Sequence, residues 1–65
     1  MAAQIESKNL MILEDQATQE MTAARKMDSY AAQLSDPPAR NIATGLAQRH
    51  RTHFNDLLTY LNSHQ

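Results

Sequence analysis

Ser35-Asp36-Pro37-Pro38 is the only cluster of turn-forming residues in the sequence, and its reading decides the fold. Asp36 suits an N-cap, where its carboxylate accepts from a free amide, and Pro37 suits the first helical position, where a missing N–H costs nothing. The flanking stretches are rich in Ala, Leu, Met, Glu, Gln and Lys, all strong helix formers. The punctuation therefore predicts two helices, about residues 5–34 and 37–61. So short a connection makes them antiparallel neighbours. Residues 1–4 and 62–65 are expected to fray, and no internal repeat or low-complexity tract is visible.

The composition agrees. The chain has 65 residues, 42% of them hydrophobic, with one Gly, two Pro, no Trp and no Cys. That length allows one small domain, residues 1–65, without a disulfide staple. Scarce Gly and an absence of Val argue against β-structure. A single hairpin of this size buries little core, so self-association is expected. A private deep pocket is out of reach, which disfavours most enzymes. The net charge of −1 gives no general attraction to nucleic acid or to an anionic membrane, so neither is expected as a partner. The longest apolar run, Leu10 to Leu13, is too short to span a bilayer. Met1 to Lys8 lacks a basic region followed by a long apolar run, so no signal peptide is expected and the location is read as intracellular.

Periodicity refines the hairpin. Alternating steps of three and four residues select Leu10, Leu13, Ala17, Glu20, Ala24, Met27, Ala31 and Leu34 in the first helix. In the second the same rule selects Ala43, Leu46, His50, His53, Leu57 and Tyr60, with Ile42, Phe54, Leu58 and Leu61 alongside. This stripe is wider than one helix–helix contact needs. The fold class expected is all-α: an antiparallel helical hairpin that forms a four-helix bundle by homodimerisation. Close packing near the turn would account for Gly45, which costs about 1 kcal/mol relative to Ala inside a helix.

Three residues break the apolar seam: Glu20, His50 and His53. If the turn centres near Asp36, antiparallel pairing puts Glu20 opposite about residue 51 or 52, so all three share one level, ~23 Å from the turn. His50 and His53, three apart, can point to one side of their helix. Charged groups are seldom buried unless paired or metal-bound. One reading is a centre for a divalent metal (Zn, Fe or Mn) ligated by carboxylate oxygen and imidazole nitrogen. The other is a salt-bridged layer in which Glu20 pairs with protonated His50 or His53 and sets helix register. Two copies would double the set to two Glu and four His.

Other features rank lower. Glu14 and Asp15 read as a solvated acidic face, with a supporting role beside the imidazoles as the alternative. Arg49, His50 and Arg51 form a short basic cluster that reads as a solvated flank rather than a phosphate contact. Met11, Met21 and Met27 read as core filling or a partner surface. Tyr30 and Tyr60 are expected near opposite ends of the hairpin, and His64 is given no role.

Together, Leu13-Glu14-Asp15-Gln16, Glu20, Tyr30-Ala31-Ala32-Gln33, Ser35-Asp36-Pro37, Ala47-Gln48-Arg49-His50 and His53-Phe54-Asn55-Asp56-Leu57-Leu58 resemble the spore coat protein F-like family of endospore-forming bacteria. The likeness runs from about Leu10 to Leu61. It implies a ferritin-like fold, self-association into a homodimer or higher homo-oligomer, contacts with other spore coat proteins, a place in the coat or developing spore, and a structural rather than catalytic role. Ferritin-like proteins carry a Glu on one helix and Glu-x-x-His on the next; Glu20 and His53 match, whereas His50 stands where the second Glu would be.

Overall fold

A computed structural model describes residues 6–64 and contains two α-helices among them: α1, Ser7–Gln33, and α2, Pro37–Ser63. The expected start at Ile5 lies outside the described residues. Leu34 and Ser35 form the link, and Asp36 caps α2 by accepting a 3.0 Å hydrogen bond from the Ala39 amide, with Pro37 opening the helix as the sequence indicated. Arg40 ties the turn down from the other side. Its Nε and Nη2 both donate to the Leu34 carbonyl, at 3.1 and 3.0 Å, which satisfies an oxygen left over where α1 ends. The second helix runs two residues past its expected end. His64 closes it: its ring stacks on Tyr60 at 3.9 Å between centroids, and its Nδ1 reaches the Tyr60 carbonyl at 2.7 Å. The helix end thus lies beyond the expected Leu61, and His64, given no role in the sequence, stands at its C-cap.

The seam in α1 is the expected one, with Ala17 and Ala24 buried and Leu10, Leu13, Glu20, Met27, Ala31 and Leu34 half-buried. In α2 the seam is rotated from the expected phase. It runs Ala43, Ala47, His50, Phe54, Leu57 and Leu61, while Leu46, His53 and Tyr60 lie exposed on its flank. The reason is packing. The chosen phase puts five apolar residues of six against α1, including the only Phe, whereas the expected phase would press two imidazoles and a phenol into the seam. Ala24 and Ala47, both 0% exposed, stand at about one level and mark the tightest part of the pair. Gly45 plays no part in that approach, because a Cβ there would meet nothing within 4 Å. This corrects the expectation of close packing at Gly45.

The hairpin is thin. Its extents are 50 × 18 × 10 Å, and its radius of gyration is 15.0 Å, against about 11 Å for a compact chain of this length. Only Ala17, Ala24, Ala43, Ala47 and Leu61 are buried hydrophobics among the described residues. Four of these are alanines, so the hairpin's own core holds almost no large side chain.

Candidate functional site

Glu20 is the central residue of α1 and His50 the central residue of α2, thirteen residues from either end of each helix. The antiparallel register places them face to face. His50 Nδ1 lies 2.7 Å from Glu20 Oε1, and His53 Nδ1 lies 2.9 Å from Glu20 Oε2, so each carboxylate oxygen takes one imidazole. The three residues singled out in the sequence are thus brought together, at the expected level. Their exposure is graded: the Glu20 side chain is 12% exposed, His50 30% and His53 58%. The two rings meet edge to face, 6.3 Å between centroids.

The bond to His50, then burial acting in the opposite sense, then the bond to His53 and the charges of both rings set the Glu20 carboxyl, whose pKa is held below its ordinary 4.5. At neutral pH Glu20 is therefore a carboxylate that can accept from both rings. One ligand atom from each residue lies within 4.8 Å of the others, so the group can hold a metal ion. A nitrogen–nitrogen–oxygen set suits Zn, Fe or Mn, and three protein ligands leave coordination positions for water or a further donor. A ring nitrogen that donates to Glu20 cannot ligate through the same atom. Metal binding through Nδ1 would move the proton to Nε2, and binding through Nε2 would turn the ring.

The lower-ranked features separate. Glu14 and Asp15 are exposed and touch neither imidazole, which leaves them as a solvated face. The basic cluster divides: Arg51 pairs with Asp28 across the helices, while Arg49 projects beside Ile42 and Leu46. No continuous phosphate-binding patch forms from them. Tyr30 and Tyr60 do lie towards opposite ends. Sequence reasoning missed the Asp28–Arg51 pair and the Arg40 clamp, since neither follows from periodicity.

The site sits in the middle of an apolar face. On the turn side, Met27, Tyr30, Leu34, Ile42 and Leu46 line an open groove of about 500 Å³. On the open side, Ile12, Leu13, Leu57 and Tyr60 line smaller hollows. Glu20, His50 and His53 fall between these two patches on the same helical flanks. The opposite face carries the exposed Asp28–Arg51 pair.

No family model, curated protein or solved structure matches this chain. No helix among the described residues is long and apolar enough to cross a membrane.

Proposed function

We propose that the chain is a non-enzymatic structural protein that works by self-association: two copies pack apolar face to apolar face into a four-helix bundle with a central Glu/His layer. The observation that carries this is where the large apolar side chains lie. Ile42 is 66% exposed, Ile12 55%, Tyr60 45% and Tyr30 43%, all on one face, with Met11 and Leu58 the exposed large apolar side chains off it, while the hairpin's interior is mostly alanine. The accessible surface is 4984 Å², against about 4200 Å² for a compact monomer of this mass. Sedimentation equilibrium at micromolar concentration tests the reading. A dimer whose dissociation coincides with loss of helix is expected; a stably helical monomer would overturn it. The sequence resemblance supports a place for the assembly in the spore coat, alongside other coat proteins. Immunogold labelling of sporulating cells checks that part, and signal absent from the coat would remove it.

A second reading is favoured by the geometry of the three side chains: the same layer binds a divalent transition metal, with Glu20, His50 and His53 as ligands from each chain. Titration with Zn, Mn and Fe(II), read as heat and as a shift in melting temperature, tests it. Binding lost in a His50→Ala variant is expected, and no heat and no shift with any of the three ions would dismiss it.

A further inference from the structure

The face that bears the site is not uniform in charge, and its pattern orients a partner. Asp15 stands five residues before Glu20 and Lys26 six after it; Arg49 stands one before His50 and Asp56 three after His53. All four are exposed, and none makes an ion pair within the hairpin among the described residues. By helical phase they border the apolar face on its outer edges.

Resting on the self-association proposed above, we infer that the second copy docks head to tail. Its turn lies over the first copy's open end, on a two-fold axis that crosses the helices at the level of Glu20. Two observations favour the pairing of these faces, and a third selects the orientation. First, the polar layer is at the midpoint of both helices, so reversing the second copy superposes helices of equal length and brings one Glu20/His50/His53 set over the other. Second, the reversal lays the turn-side groove of Met27, Tyr30, Ile42 and Leu46 over the open-side patch of Leu13, Leu57 and Tyr60, so each apolar half meets the other. Third, it sets Asp15 within about 2 Å in height of the second copy's Lys26 and Arg49 within about 4–8 Å of the second copy's Asp56, at 1.5 Å per residue.

The competing orientation, turn over turn, keeps each residue at its own height. That would place Asp15 level with the second copy's Asp56 and Lys26 within about one turn of the second copy's Arg49. Like charges would then face each other along both edges. Rim charges add little affinity, but they discriminate between arrangements of the same apolar face. Pairing of these faces also closes the polar layer: each Glu20 and its two imidazoles gain a facing set, so the layer of two carboxylates and four imidazoles exists only in the pair.

The chain has no cysteine, so engineered disulfides report the orientation directly. Ile42→Cys and Tyr60→Cys both alter exposed positions on this face. Head to tail, position 42 of one copy comes within about 2 Å in height of position 60 of the other, while two copies of position 42 lie about 28 Å apart. Turn over turn, positions 42 and 60 are about 27 Å apart, far beyond the reach of a disulfide. Equal amounts of the two single variants are mixed, oxidised with oxidised glutathione and resolved on a non-reducing gel, with sedimentation of the uncrosslinked mixture alongside. The expected result is a mixed covalent dimer about tenfold more abundant than either self-linked dimer. A sedimenting dimer that gives no mixed product, or that self-links through Ile42→Cys, overturns the orientation and leaves self-association standing. A monomer overturns both.

Discussion

The two broad faces of this hairpin share the same helices and the same alanine seam but differ in what they offer a partner. One carries large exposed apolar side chains interrupted at mid-height by Glu20, His50 and His53. The other carries the solvated Asp28–Arg51 pair. Burial within the hairpin does not separate them, since the seam belongs to both. The difference teaches that a two-helix unit whose own interior is alanine keeps most of its hydrophobic driving force on one outer surface, where only association can use it.

The strongest way to break this comparison is a matched pair of charge insertions. Ile42 is 66% exposed on the site face, and Met11 is 63% exposed on the outer side of α1. In a free hairpin both changes to Glu are expected to alter stability by no more than about 0.5 kcal/mol. In the pair, Ile42→Glu should weaken association by about 100-fold or more, because each interface buries the position twice and the charge has no partner there. Met11→Glu should leave it unchanged. Sedimentation of both variants decides, and equal effects would abolish the distinction between the faces.

The polar layer allows a second break. Replacing Glu20, His50 and His53 together by Leu should preserve or raise the melting temperature, because a well-packed apolar layer removes the desolvation cost of the ionised one. Metal-induced shifts should vanish in the same variant. In the parent chain, Glu20 has its pKa lowered in the folded state, chiefly by the bond from His50. Its contribution is therefore complete above the ordinary carboxyl value and is lost as pH falls through the lowered one. Melting temperatures from pH 3 to 7 should fall at the acid end, and the Glu20→Gln variant should show a flatter profile. An unchanged slope would detach the carboxylate from stability.

Gly45 probes the hairpin apart from either partner surface. With open space where a Cβ would sit, Gly45→Ala should stabilise the chain by about 0.5–1 kcal/mol, read by denaturant melts extrapolated to zero. A loss of stability would mean that the position is covered in the assembly. The smallest effect sharpens the comparison most. Asp15→Lys and Lys26→Asp should each weaken the dimer by about 0.5 kcal/mol, and the double variant should recover most of the loss. A double variant no better than the sum of its parts would argue against the two positions facing each other between copies.

Much of this was legible in the chain. Asp36 and Pro37 fixed the turn because capping chemistry is local, and the antiparallel register that follows put Glu20 level with His50 and His53 without any knowledge of packing. The phase of the second seam was not legible in the same way. Steps of three and four residues fit both Ala43-Leu46-His50-His53 and Ala43-Ala47-His50-Phe54, and the choice depends on what the facing helix presents. The same ambiguity hid the exposed flank on which His53, Leu46 and Tyr60 now lie, and the clamp from Arg40 to the Leu34 carbonyl, which needs the backbone already turned.

Sequence alone therefore determined the elements, their order and the level of the acid–imidazole group, since these follow from capping, helical period and residue count along one chain. Tertiary structure decided which flank of each helix is covered, how far each of the three side chains is withdrawn from water, and that Ile12, Tyr30, Ile42, Leu46 and Tyr60 stand unburied together on one face. Those outcomes depend on competition between side chains far apart in sequence for the same narrow contact, and no local rule ranks the competitors.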